Sequence, residues 1–351
     1  MEEYRCILSG TGQSNVPLIQ AIAGCAGIFE KAIRTLKPNF LFYTSNMKIR
    51  SFTTLLLVLF SSVAVFSQQI LSVTSSVQPP YDDMPKLIRD HLTGAGVEML
   101  SVESNSDPYA IGFFTDGNST LGIECGLILT TGYAEVATDL GNFWASNGNS
   151  GDDIQPELQA IATDALNDVA YFRITFRPFR DSVRFRYVFG SEEYPEYACT
   201  AFNDVLGFFL SGPNPSAGNY IGQNIALIPG TNLSVSINNL HPDNSSAFSP
   251  CSPFNAQFYH DNEGSNSQPV YDDYTDVFVA QARVVPCSVY EIVIAIADVG
   301  DSAYDSGVFL EAKSLQSEVD ITSSLEIGND VIPEIAIADT ITFSFCPRDR
   351  W

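Results

Sequence analysis

An antiparallel β-sandwich of the jelly-roll kind, mainly β with one or two short helices, is the fold class that this chain predicts. Three observations point to it. Apolar and polar residues alternate with a period of two over many short runs. Twenty-four glycines and 19 prolines punctuate those runs. Helical spacing of apolar residues is confined to two short segments. Period-two patterning gives a strand one apolar face, and many such strands between frequent turns bury those faces by packing as two sheets.

Taken from the N-terminus, residues 1–67 are expected to stand outside the mature domain. Met47-Lys-Ile-Arg50 is a short basic start, 55–66 is an apolar run interrupted by Ser61 and Ser62, and Val65-Phe-Ser67 offers a cleavage site before Gln68. That is the layout of a secretory signal peptide over 47–67, too short and wrongly flanked for a spanning helix. A signal beginning at Met47 implies that 1–46 is upstream sequence with no role, a long signal anchor being the competing reading. The mature chain is then secreted or held on the outer cell surface, with no transmembrane helix.

Residues 83–94 read as a short helix: Pro85 suits its first turn, Leu87, Ile88, His91 and Leu92 share a face, and Gly94 closes it. A second helix is expected over 156–163, with Leu158, Ile161 and Ala162 inward. Ala170, Phe172, Ile174 and Phe176 then alternate with Tyr171, Arg173, Thr175 and Arg177. Beyond a turn at 178–181, Val183, Phe185, Tyr187 and Phe189 alternate with Arg184 and Arg186, so the two runs are expected to form a hairpin with one aromatic face. Further strands are expected at 122–130, 205–211, 224–228, 233–238, 276–284, 289–298 and 307–314. The domain is taken as 68–317, followed over 318–351 by a linker and the start of a truncated further β domain.

Three of the 41 acidic and six of the 17 basic residues precede Gln68, which leaves 38 against 11 and a net charge of −27. Such a surface repels nucleic acid and anionic lipid and attracts divalent cations. Arg173, Arg177, Arg180, Arg184 and Arg186 stand apart from that trend. They are expected to pair across strands with acids, the competing reading being a fork-like grip on an anionic glycan. No Cys-x-x-Cys pair occurs and His91, His241 and His260 are scattered, which argues against a zinc or haem site. Export permits disulfides, and Cys125, Cys199, Cys251 and Cys287 are the candidates, pairing being favoured among the last three. Cys346 is left as the odd one.

The segment from Phe189 through Gly-Ser-Glu-Glu-Tyr-Pro-Glu-Tyr-Ala-Cys to Pro215, together with Ala297-Asp-Val-Gly-Asp-Ser-Ala-Tyr-Asp-Ser-Gly-Val-Phe-Leu-Glu-Ala312, resembles the choice-of-anchor L domain of bacterial surface proteins. The resemblance implies that the two blocks meet or jointly shape one end of the sandwich. It implies a surface address and no particular reaction.

Glu192, Glu193 and Glu196 are the obvious acid–base candidates. Glycoside hydrolysis needs two carboxylates flanking one bond, but neighbours on an extended chain point to opposite faces, so Glu192 and Glu193 need a third acid from elsewhere. A secreted carbohydrate-active hydrolase using Glu192 or Glu193 is therefore the alternative to a non-enzymatic module. Calcium is the sharper reading: it takes six to eight oxygen ligands from carboxylates, amides and carbonyls. Asp298, Asp301 and Asp305 share one loop, and Glu192, Glu193, Asn203 and Asp204 come from the other block. The spacing matches no EF-hand, and an Asx turn accounts equally well for Asn203 and Asp204. Phe258-Tyr-His260 and Tyr271-Asp-Asp-Tyr274 are candidate stacking platforms for surface glycans, the other partner class being proteins. Adhesion or ligand binding within a larger surface protein is the function expected.

Overall fold

The structure is a computed structural model and describes residues 70–139, 145–149, 155–244, 250–262 and 268–318. Two antiparallel sheets make a sandwich. The first runs β1 (Ser72–Ser75), β3 (Ile111–Thr115), β4 (Gly126–Thr130), β13 (Ser306–Glu311), β6 (Ser182–Ser191), β10 (Asp273–Thr275), β9 (Tyr259–Asp261). Strands β11 (Phe278–Arg283) and β14 (Gln316–Glu318) also pair with β6. The second sheet runs β2 (Val97–Glu103), β5 (Leu166–Pro178), β12 (Tyr290–Val299), β7 (Val205–Pro213), β8 (Asn219–Asn224).

The aromatic runs at 170–177 and 183–189 form strands β5 and β6, but not a hairpin. They lie in opposite sheets, and residues 179–181 carry the chain from one to the other. Each strand has one aromatic face, and facing each other across the sandwich buries both in a single core. Phe172, Ile174, Phe176, Phe185, Tyr187 and Phe189 are all fully buried there. Phe208 of β7 reaches across to Phe185 and Tyr187, with ring centroids 5.7 and 4.8 Å apart.

The same crossing separates the arginines. Arg177 pairs with Glu98 at 2.8 Å and Arg173 with Glu291 on the second sheet. Arg184 pairs with Glu318 at 2.9 Å and Arg186 with Glu311 on the first. Cross-strand pairing is therefore what these four side chains do, and no single face gathers them.

Helix α1 (Met84–Leu92) follows the expected residues closely. Asp83 accepts from Lys86 N at 3.0 Å as the N-cap, and Leu87, Ile88 and Leu92 are buried. Gly94 is required after it, because a Cβ there would lie 2.0 Å from Lys313 O. Helix α2 is a single turn, Pro156–Gln159, shorter than expected, with Leu158 buried. It belongs to a second apolar layer, with Val169, Phe209, Val293, Ala295 and Ala297, on the outer face of the second sheet. The first sheet has its own outer cover, built from Leu71, Phe114, Leu121, Ile123, Val188 and Phe309. Strands such as β4, β7 and β12 are apolar on both faces for that reason, and their sequences run together instead of alternating.

Residues 225–228 and 233–238 form isolated bridges, Leu227 to Ser234 and Val205 to Ser236, where strands were expected. The signal peptide at 47–67 and Cys346 lie outside the described residues. No described helix is long and apolar enough to cross a membrane.

Candidate functional site

On five strands the core-facing alternation continues past its last apolar residue and ends on a polar one. Leu129 gives way to Thr131, Phe189 to Ser191, Leu206 to Asp204, Ile296 to Asp298 and Val308 to Ser306. These positions meet at one end of the sandwich, so the core closes there on polar atoms. The Ser306 hydroxyl lies 2.8 Å from Ser191 Oγ and 2.7 Å from Asp204 Oδ2. Asp204 Oδ1 accepts from Val299 N at 3.0 Å, and Thr131 Oγ1 from Ser306 N at 2.9 Å. A bulge on β5, with Asp168 at φ +48°, shifts the register beside Asp298.

Loops add further acids. Glu192 Oε1 accepts from Ala145 N at 3.0 Å, and Asp305 takes Asn147 N on both oxygens at 2.9 and 3.1 Å. Asp305 fits because residue 132 is glycine; a Cβ there would lie 1.8 Å from Asp305 Oδ2. Asp168 Oδ1 accepts from Asn149 N at 2.9 Å. Glu193 is 2 % exposed and its Oε2 has no hydrogen-bond partner. Asp298 is 1 % exposed, and neither of its oxygens accepts a hydrogen bond of good geometry, although the nearby Thr131 hydroxyl favours its charged form.

Burial raises the carboxyl pKa of Glu192, Glu193, Asp204, Asp298 and Asp305. Glu192 is pushed up to about 8, with Asp272 and Asp305 adding repulsion against the opposing Ala145 hydrogen bond. Asp305 rises to about 7, held down in part by Asn147. Glu193, Asp204 and Asp298 also rise, first through burial; Asp204 repels Glu193 and Asp298, while hydrogen bonds from Ser306, Val299 and Asp298 partly hold Asp204 itself down. Among the described residues no arginine or lysine forms an ion pair with Glu192, Glu193, Asp204, Asp298 or Asp305. Next to this strip, fully buried Asp273 accepts from Asn262 N at 2.9 Å and from the Tyr259 hydroxyl, and is raised to about 8 by burial.

Five of the seven expected metal ligands are therefore brought together: Glu192, Glu193, Asp204, Asp298 and Asp305. Asn203 is buried, but its Oδ1 accepts from Asn238 N at 2.8 Å, a structural bond. Asp301 is exposed and caps its own turn, accepting from Ala303 N at 3.1 Å, while lying near enough to repel Glu193 and Asp204. Thr131, Asp168, Ser191 and Ser306 were not anticipated. The signal for three of them, a polar residue at the core-facing parity of a strand end, is present in the sequence once the strands are known. The carboxylates line a strip and do not converge on a point. Among the described residues, the trio of metal-ligating side chains with donor atoms within 4.8 Å of one another is Cys199, His241 and Cys251.

The profile of the choice-of-anchor L domain matches residues 75–316. The chain belongs to that family. No curated protein and no solved structure matches it. Within this choice-of-anchor L domain the two sequence blocks do meet: Asp204 holds Val299, Ser191 touches Ser306, and Glu192 N donates to Asp305 O at 3.1 Å. The Cys199–Cys251 disulfide ties the first block to a later loop across 52 residues. Cys287 is disulfide-bonded as well, whereas Cys125, the other candidate, is a free thiol packed against the core.

Of the aromatic clusters, Tyr271 is no loop platform: it is 1 % exposed, its hydroxyl 3.0 Å from Thr130 Oγ1. An unanticipated exposed pair, Tyr109 and Tyr133, has ring centroids 5.2 Å apart. Both rings line a cavity of about 400 Å³ with Ser75, Glu135, Val136 and Asp139.

Proposed function

We propose that this domain is an exported, non-catalytic surface module that serves adhesion or ligand binding within a larger surface protein and is locked at its acidic end by calcium. Asp298 is the observation that carries the metal reading. A buried carboxylate without a hydrogen bond of good geometry is costly, and it is normally neutralised, paired or coordinated. Here its neighbours are other acids and hydroxyls, oxygen donors of the kind hard divalent cations use.

Membership of the family supports the surface address, and the leader-like segment at 47–67 supports export. The open cavity beside Tyr109 and Tyr133 has the size of a small-ligand site and two aromatic faces for a sugar or a protein side chain. The hydrolase reading finds less support. Glu192 and Glu193 are 3 % and 2 % exposed, inside the filled end of the sandwich, and neither lines that cavity.

The test is thermal unfolding of the exported domain in chelator and in millimolar calcium. Occupancy at a hundredfold excess over the dissociation constant adds about 2.7 kcal/mol, a rise of several degrees. Magnesium should substitute poorly, given its strict octahedral demand. A melting temperature indifferent to both chelator and calcium sinks the metal reading and leaves the surface-module reading standing.

A further inference from the structure

We propose that Cys199, His241 and Cys251 form a three-ligand site for a zinc-class metal ion when their disulfide is reduced. This does not rest on the calcium reading, since none of the three residues belongs to the acidic strip.

The three residues are separated by 42 and 10 positions, a spacing that no linear metal motif uses, and the fold assembles them. His241 and Cys251 sit on opposite arms of a short ladder: His241 N donates to Phe254 O at 2.9 Å and Cys251 N to Asn244 O at 2.9 Å. Cys199 sits on the facing loop, its N–H held by Asn238 Oδ1. Asn244 Nδ2 ties that loop to the ladder through Ala198 O at 2.9 Å. The positions of all three are thus set by hydrogen bonds independent of the sulfur–sulfur link.

The imidazole is prepared as a ligand. His241 is 2 % exposed, and its Nδ1 lies 2.7 Å from Pro242 O. A carbonyl can only accept, so Nδ1 carries a proton, and in the neutral ring Nε2 is the nitrogen with the lone pair. That nitrogen lies 3.5 Å from Cys199 Sγ. Imidazoles that bind metal are commonly oriented in this way, the far N–H donating to a backbone carbonyl. Two thiolates and one imidazole form a donor set suited to zinc, with the fourth tetrahedral position left to water.

Metal binding and the disulfide exclude each other, because both use the same two sulfur atoms. A dithiol reductant supplies two electrons and two protons, becoming a disulfide itself while Cys199 and Cys251 become thiols. Zinc then displaces the two thiol protons. Bonds of about 2.3 Å in a tetrahedron set the sulfurs roughly 3.8 Å apart, a separation that side-chain rotation provides. Both cysteines are partly exposed, so reductant and ion can reach them.

The experiment uses the exported chain carrying Cys125→Ser, Cys287→Ser and Cys346→Ser, oxidised or reduced with a phosphine, so that Cys199 and Cys251 supply the thiols. Zinc is titrated against a chromophoric chelator, and cobalt is the spectroscopic probe. The expected result is one equivalent of zinc in the reduced protein only, with a thiolate-to-cobalt charge-transfer band. His241→Ala should weaken zinc at least tenfold, and Cys199→Ser should remove most of the band. Circular dichroism follows the fold throughout. Should reduction unfold the domain, zinc must restore the native signal in wild type and not in His241→Ala. Less than one equivalent bound, binding indifferent to His241→Ala, or no recovery of a lost fold overturns the proposal.

Discussion

Asp298→Asn keeps the shape of the side chain and removes a buried ionisable group. In chelator near neutral pH the variant should melt higher than the wild type, because burial and Asp204 make the carboxylate costly to hold charged, and holding it protonated means taking up a proton that the unfolded chain has lost. For a domain of this size each kcal/mol gained raises the melting temperature by about 2–4 °C. In millimolar calcium the order should reverse, since the variant can no longer hold the ion. Equal responses of both proteins to calcium would falsify the assignment of Asp298 as a ligand. Asp301→Ala makes the contrasting case. Its carboxylate is exposed and engaged in its own turn, so most of the calcium response should survive the change. Reading the linear sequence put Asp298, Asp301 and Asp305 on an equal footing. Their difference comes from strand parity: Asp298 continues the inward set Tyr290, Ile292, Ile294 and Ile296 of β12, and Asp305 is admitted by Gly132. Asp301 belongs to neither arrangement.

At the scale of elements, the Cys199–Cys251 bridge closes a span of 52 residues, and the chain-entropy treatment assigns such a loop about 4 kcal/mol. The Cys199→Ala/Cys251→Ala double variant should lose stability of that order in urea titrations; a loss under about 1 kcal/mol contradicts it. The arginine pairs are a different matter. Arg177→Ala removes a half-exposed pair with Glu98, and exposed ion pairs contribute about 1 kcal/mol or less, so the midpoint should barely move. Strands β5 and β6 and helix α1 were legible because each carries a long periodic run, and β7 and β12 because each is an apolar run bounded by turn residues. Which sheet a strand joins was not, since the 178–181 turn is compatible with a hairpin or a crossing, and only the need to bury both aromatic faces together decides between them. The short strands β1, β9, β10 and β14 have three or four residues each, too few for a period to register. The meeting of the acids was legible only as an implication of the family resemblance, because it depends on five strand ends coming into register.

Across the whole molecule, the raised carboxyls couple stability to pH. Their folded pKa values lie above the unfolded ones, so the folded chain holds protons that the unfolded chain has lost. Stability from these groups is therefore full below the ordinary carboxylate range near 4 and declines as pH climbs through about 7 to 8, where Asp204, Asp305, Glu192 and Asp273 ionise, with Glu193 following at about 10. Without metal the melting temperature should fall from pH 5 to pH 8; calcium should flatten that slope by taking the place of the protons. A metal-free profile that rises over this interval would contradict the electrostatics of the acidic end. One further consequence concerns force. Tension applied along the chain enters this domain near Ser72 and leaves near Glu318, on β1 and β14, both in the first sheet. Those two handles hold on through four and three paired residues, to β3 and β6 respectively. Under load these short end strands should peel first and lengthen the chain, before β5, β7 and β12, whose pairings run through seven to nine residues.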